Sequence, residues 1–120
     1  MRANESFRYD LAIRLGASGR EAVLTSRVAG ESTAAARAPL PDGVVTLEIV
    51  ADETSYEFNV TAAETTVTLG KLPVQALSAE DIGTHGRHHF TGAMIGLYAT
   101  GNGRASTAPA DFDWFDYQAP

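Results

Sequence analysis

The segment FRYDLAIRL, residues 7–15, decides the fold class, because large apolar side chains recur at every second position. A period of two is typical of a β-strand that buries one face and leaves the other in water. A glycine-rich turn, GASG at residues 16–19, follows the segment, and a second apolar run begins directly after it. The pattern therefore predicts an antiparallel hairpin. The buried face is formed by Phe7, Tyr9, Leu11, Ile13 and Leu15.

The rest of the chain continues this pattern and predicts seven or eight strands in all. Only LSAEDIG, residues 77–83, has the composition of a short helical turn. Many short strands with little helix indicate an all-β, two-layer antiparallel β-sandwich, for which we expect jelly-roll topology. The further predicted strands lie at residues 21–28, 33–37, 44–52, 55–61, 65–70, 92–100 and 111–117.

The size and charge of the chain narrow the possible functions. We expect residues 1–120 to form a single domain. The chain contains no cysteine, which excludes thiolate chemistry, and its formal charge of −6 without a Lys/Arg-rich run argues against nucleic-acid binding. No apolar run is long enough to span a membrane. The first residues lack the pattern of a signal peptide, so we expect a cytoplasmic rather than a secreted protein.

The segment ADFDWFDY, residues 110–117, combines three aspartates with four aromatic residues. If it is a strand, Asp111 and Asp113 lie on one face, and both faces carry aromatic side chains. Three interpretations of the carboxylates stay open: a glycosidase pair, calcium ligands, and strand-end groups that bind loop amides. The last is favoured, because neighbouring carboxylates on one strand face point the same way and not at opposite sides of a sugar. The calcium alternative would need further oxygen ligands from nearby loops.

The histidines form a second cluster, HGRHHF, at residues 85–90. Two imidazoles at this spacing can bind zinc, but a structural or catalytic site needs a third protein ligand, and the sequence holds no second cluster. A polar loop that leads into the next strand is the simpler interpretation. No other metal is predicted by the sequence, and it contains no nucleotide-binding or nucleophile-elbow motif.

The segment FTGAMIGLYATGNGRASTAPADFDWFDY, residues 90–117, closely resembles the end of a known domain. This is the C-terminal concanavalin A-like β-sandwich of glycoside hydrolase family 43 β-xylosidases and α-L-arabinofuranosidases. Weaker similarity extends back through LSAEDIG and SYEFNVT. The DGxxW turn that is usual in the family after the latter strand is replaced here by AAETTVTLG, which predicts a shorter hairpin.

The resemblance implies an accessory domain of a longer glycoside hydrolase. In that family a five-bladed propeller carries the catalytic carboxylates, and none of them has a counterpart in this chain. The family resemblance matches Phe90 to an aromatic residue that walls the sugar pocket of the propeller, with His88 and His89 beside it. Because Trp114 lies in the middle of the predicted last strand, between Phe112 and Asp116, we expect it to be mostly buried. The resemblance also implies that four aromatics serve core or interdomain packing. These four are Phe112, Trp114, Phe115 and Tyr117.

Three functions remain open at this point. The first is an accessory domain that packs on the propeller and shapes the rim of its active site. The second is an autonomous carbohydrate-binding module for oligosaccharides derived from xylan or arabinan, with exposed aromatic rings as stacking surfaces. The third is a purely structural interaction domain. Burial of Trp114 would argue against the second.

Overall fold

The computed structural model describes residues 1–78, 93–101 and 103–119, and within them it shows two antiparallel sheets. The first sheet has the order β1-β2-β3-β4 and the second the order β5-β6-β7. A 3₁₀ helix at Gln75–Leu77 follows the last strand. The strands are β1 Arg2–Asn4, β2 Phe7–Gly16, β3 Gly19–Val28, β4 Glu31–Pro39, β5 Val45–Ala51, β6 Ser55–Ala62 and β7 Thr65–Pro73.

Tight turns join most strands to their neighbours, which explains why both sheets run in sequence order. The β2–β3 pair continues in register from Arg8 opposite Arg27 to Gly16 opposite Gly19. Only two residues lie between Gly16 and Gly19. Gly19 has a φ of 117°, a conformation that residues with a Cβ rarely adopt, so the glycine makes this turn possible.

The hairpin between β6 and β7 is also closed by two residues, Ala63 and Glu64. Their φ angles are 50° and 64°, so both lie in the left-handed region. Two central residues with positive φ are the geometry of a type I′ turn, whose twist matches that of the strands. The hairpin after SYEFNVT thus has a two-residue loop, although neither residue is one that this turn favours.

The core lies between the two sheets and is rich in aromatic rings. Tyr9 from β2 packs edge-on against Phe58 from β6, with ring centroids 6.0 Å apart and an interplanar angle of 90°. Its hydroxyl donates a hydrogen bond of 2.8 Å to the carbonyl oxygen of Pro73 at the end of β7. Tyr9 thus joins the sheets by both packing and hydrogen bonding. The buried cluster comprises Ala3, Phe7, Tyr9, Leu24, Tyr56, Phe58 and Leu77.

The predicted all-β sandwich is confirmed, and the strand predictions hold from residue 7 to residue 70. Two later predictions are wrong. Residues 93–100 form no buried strand, since their only strand-like pairing is a single bridge between Met94 and Arg2. Residues 111–117 form no strand either. The predicted helical turn at 77–83 lies mostly outside the described residues. No helix in the described ranges is long and apolar enough to cross a membrane.

Candidate interaction surface

The aromatic side chains of residues 110–117, here called the C-terminal aromatic segment, are exposed. Trp114 and Tyr117 are each 66% exposed, while Phe112 and Phe115 are 51% and 50% exposed. The prediction that Trp114 is mostly buried is therefore wrong for this chain. Alternation of residue types predicted burial because it presupposed a paired strand, and that pairing is absent from the described structure.

The side-chain hydrogen bonds that the described structure shows around this segment are local. The backbone N–H of Ala108 donates to the hydroxyl oxygen of Ser106 over 3.2 Å. The side-chain amide of Gln118 donates to Asp116 over 3.0 Å. Neither bond links the segment to a sheet. An extended, exposed run of four large rings is unusual for a chain in water, since contiguous apolar patches mark interaction sites.

Asp111 and Asp113 lie on this same exposed segment. In the part of the chain that the structure describes, no three histidine, aspartate or glutamate side chains come together as a potential metal site. The calcium interpretation of the two aspartates thus gains no support from a third carboxylate and stays a hypothesis. Phe90, His88 and His89, predicted to lie at a substrate rim, fall outside the described residues.

Residues 93–98 start beside the first sheet. The backbone groups of Met94 and Arg2 exchange two hydrogen bonds of 2.8 Å each. Further on, Tyr98 comes close to Asp10 of β2. Burial, with a smaller contribution from the Asp10 carboxylate, raises the pKa of Tyr98. Tyr98 is thus tied to the first sheet, although much of its ring remains in water.

The outer face of the second sheet carries a polar network that is not evident from any sequence motif. Asn59 is only 6% exposed, and its side-chain amide donates to Glu48 and Glu57 over 3.1 Å each. Its side-chain oxygen accepts a hydrogen bond of 2.7 Å from Thr68. Lys71 pairs with Glu57 over 3.1 Å and, together with Asn59, lowers the pKa of that carboxyl. Because these groups satisfy one another, the network needs no ligand.

The alternation in SYEFNVT does contain the signal for this network. The polar residues of this segment alternate with its apolar ones, such as the buried Tyr56 and Phe58. They are Glu57, Asn59 and Thr61. Such positions face away from the core. What the segment alone does not show is that Glu48 and Thr68 lie opposite Asn59 on the adjacent strands. A network of this kind depends on register, which forms only when the strands pair.

An apolar groove opens between the ends of the two sheets. It has a volume of about 110 Å³ and is lined by residues 38–41, together with Val60, Ala62, Thr65 and Val67. Small-molecule sites usually enclose roughly 300–1,000 Å³ and contain several convergent polar groups. This groove is smaller and has one polar side chain, so it does not have the properties of a sugar-binding pocket.

Two antiparallel sheets around one aromatic core place the chain in the class of β-sandwich domains. Within that class it belongs to the family described as beta xylosidase C-terminal concanavalin A-like domain, whose model matches residues 1–118. The predicted family is thereby confirmed.

Two comparisons connect the chain to an enzyme of Bacteroides ovatus. The chain is 39% identical over 119 residues to the non-reducing end alpha-L-arabinofuranosidase BoGH43B, a match that covers 98% of this chain and 22% of that protein. The solved structure described as Bacteroides ovatus Xyloglucan PUL GH43B superposes with a TM-score of 0.66 and 31% identity, over 68% of this chain and 16% of that one. The chain thus spans less than a quarter of the length of the enzyme that it resembles.

Proposed function

We propose that this chain is an accessory, non-catalytic C-terminal domain of a family 43 glycoside hydrolase of the β-xylosidase or α-L-arabinofuranosidase type. It packs against the catalytic propeller and shapes the rim of the active site. The observation that carries the proposal is the exposure of four large aromatic side chains in a chain that belongs to a C-terminal domain family. Such rings lose contact with water when a neighbouring domain covers them, which favours docking.

The chemistry of the chain supports a non-catalytic role. A glycosidase needs two carboxyl groups on either side of the scissile bond, one of them held as an acid by its surroundings. Asp111 and Asp113 lie next to each other on an exposed segment, and the apolar groove holds no carboxylate. We therefore expect this domain to contribute to catalysis by positioning the substrate and by excluding water.

Phe90 is our candidate for the residue that contacts the substrate rim, with His88 and His89 beside it. The support is the family resemblance around residues 90–117 and the polar HGRHHF sequence. In the longer polypeptide, we expect Phe90→Ala to lower kcat/KM toward aryl glycosides while the Tm stays unchanged. Val44→Ala, at an exposed position outside the HGRHHF sequence, serves as a control.

The packing surface is tested in the longer polypeptide with the double substitution Trp114→Ala and Tyr117→Ala. Large aromatic side chains dominate the binding energy of interfaces, so we expect a lower Tm and a loss of kcat/KM. Val44→Ala, which also truncates an exposed apolar side chain, should change neither quantity. An unchanged Tm and unchanged kinetics in the double variant would contradict the proposal.

An autonomous carbohydrate-binding module is the second candidate, and the exposure of Trp114 and Tyr117 is the observation that favours it. Exposed rings can stack on the apolar faces of sugars. Titration calorimetry of this chain with xylo-oligosaccharides and arabino-oligosaccharides separates the two functions. Binding that Trp114→Ala abolishes would favour the module, and an absence of heat at millimolar sugar would favour the accessory domain.

A further inference from the structure

The edge of β2 is only partly covered by β1. Strand β2 runs from Phe7 to Gly16, whereas β1 has three residues, and its register with β2 extends from Asn4 opposite Phe7 to Arg2 opposite Arg8. Met1 adds one further pair, because its carbonyl oxygen accepts a 2.7 Å hydrogen bond from the N–H of Tyr9. Beyond Tyr9, residues 10–16 of β2 have no strand on this side within the described ranges.

The backbone geometry shows which groups this edge presents. In an antiparallel strand, the N–H and C=O of one residue point to the same side, and the side alternates with each residue. The backbone N–H of Tyr9 points toward Met1, and the β2–β3 register continues without a bulge. The N–H and C=O groups of Leu11, Ile13 and Leu15 therefore point to the open edge, and those of Ala12 and Arg14 point to β3.

Tyr98 comes close to Asp10 at the start of this edge, but the apolar side chains at its far end are uncovered. Leu15 is 84% exposed, and Ile13 is exposed as well, although both lie on the face that buries Phe7 and Tyr9. Water thus reaches these two apolar side chains beside the same stretch of open backbone, where side chains of an additional strand would flank them. Unpaired backbone beside exposed apolar side chains is the condition in which a sheet gains a strand.

Other edge strands of the molecule differ from this one. Strand β4 carries Pro39, and strand β7 carries Lys71 and Pro73, residue types that discourage pairing at an edge. The open part of β2 contains neither lysine nor proline, and its one cation, Arg14, is paired with Glu21 at 2.7 Å. Strand β5 is also an edge, but no partially formed ladder there sets a register for a partner.

We propose that the open edge of β2, residues 10–16, pairs with one further strand, supplied by the polypeptide that precedes this domain in the parent glycoside hydrolase. The new strand runs antiparallel to β2 and continues the register of β1. This inference rests on the proposed function, and it specifies where the domain is joined to the remainder of the enzyme. Continuity is the reason for this occupant: a chain that runs backward from Arg2 passes along residues 10–16 of β2.

Hydrogen exchange of individual amides tests the pairing in this chain and in the longer polypeptide. We expect the amides of Leu11, Ile13 and Leu15 to exchange at least about 100-fold more slowly in the longer polypeptide, because they acquire backbone partners. The amides of Ala12 and Arg14 should be protected in both. Fast exchange at all three edge positions in the longer polypeptide would overturn the proposal. Protection in this chain that rises with its concentration would also overturn it, since a second copy would then be the occupant.

Proline substitutions provide an independent measurement. Leu15→Pro removes only an N–H that faces the open edge, so it should lower the Tm of the longer polypeptide and leave that of this chain nearly unchanged. Ala12→Pro removes an N–H that faces β3 and should lower both. Equal effects of Leu15→Pro on the two proteins would count against the additional strand.

The fluorescence of Trp114 separates this inference from the proposed function. Slow edge amides with an exposed Trp114 in the longer polypeptide would support the strand and contradict packing through the aromatic segment. Fast exchange of the edge amides with a buried Trp114 would contradict the additional strand and support packing through the aromatic segment.

Discussion

Tyr9 joins the two sheets, because it both packs and hydrogen-bonds across them. Its ring lies 6.0 Å from that of Phe58 and 6.2 Å from that of Tyr56, and its hydroxyl reaches Pro73. Periodicity predicted that Tyr9 is buried. The partner of its hydroxyl was not predictable, because Pro73 lies on the other sheet.

Tyr9→Phe should lower the free energy of unfolding by about 1 kcal/mol, since the partly buried hydrogen bond to the Pro73 carbonyl is lost. Urea denaturation followed by circular dichroism measures this change. Tyr56→Phe is the matched control, because the Tyr56 hydroxyl has no hydrogen-bond partner among the described residues. A loss no larger than that of the control would show that the hydrogen bond contributes nothing.

Trp114→Ala should change the stability of this chain by no more than about 0.5 kcal/mol, as is usual for exposed positions. The tryptophan emission maximum of the unaltered chain should be typical of a ring in water. A loss of several kcal/mol would mean that the ring is part of the core of this chain, as the alternation of residues 111–117 predicts.

Among the elements, the turn between β5 and β6 is organised by one carboxylate. The backbone N–H groups of Thr54 and Ser55 donate to Asp52 over 2.7 Å each, and the Thr54 hydroxyl adds a bond of 2.9 Å. These bonds lower the pKa of Asp52 from 3.8 to about 2. The sequence ADET predicted a short link here, and the capping role of Asp52 is a common property of aspartate in turns.

The lowered pKa of Asp52 predicts a specific dependence of stability on pH. Because the ionised form is favoured in the folded state, its contribution is complete above pH 3.8 and is lost as the pH falls toward about 2. Titration of this carboxyl by NMR should give a midpoint near the lower value. Thr54→Val keeps the backbone donor and removes the hydroxyl, so the midpoint should move only part of the way back. An ordinary midpoint in the unaltered chain would contradict the geometry of the turn.

The turn between β6 and β7 has a backbone conformation that its two residues disfavour. Ala63 and Glu64 both adopt positive φ, which is strained for residues with a Cβ. Replacing them with Asn and Gly, the preferred pair for this turn, should raise the free energy of unfolding by about 1 kcal/mol. Thermal and urea denaturation give the difference. Glu64→Ala is the control and should bring no gain, since alanine meets the same strain.

At the scale of the whole molecule, the described residues form the strands of a sandwich but leave several apolar side chains uncovered, and two of the uncovered places bear on the proposed function. One is the open edge of β2, and the other is the C-terminal aromatic segment. The chain covers 22% of the arabinofuranosidase that it resembles. Both uncovered surfaces are accounted for if the polypeptide functions within a larger enzyme.

This chain alone should show no turnover of aryl xylosides or aryl arabinofuranosides above the background rate. The described carboxylates are not arranged in pairs that face each other across a pocket, and the family resemblance places catalysis in the propeller. The measurement is the release of the aryl group, with the longer polypeptide as the positive control. Turnover that Asp113→Asn abolishes would overturn the non-catalytic role.

The sequence by itself determined the strands between residues 7 and 70, the apolar face of β2 and the family, although Ile13 and Leu15 on that face are exposed. These follow from period-two alternation, from turn residues and from a motif, all of which are local. The tertiary structure decided the Tyr9–Pro73 bond, the network around Asn59, and the exposure of the C-terminal aromatic segment. Each of these depends on which strands are adjacent and in what register, or on whether a partner strand is present at all. Alternation shows that a strand has an apolar face, but only pairing and packing decide whether that face is covered.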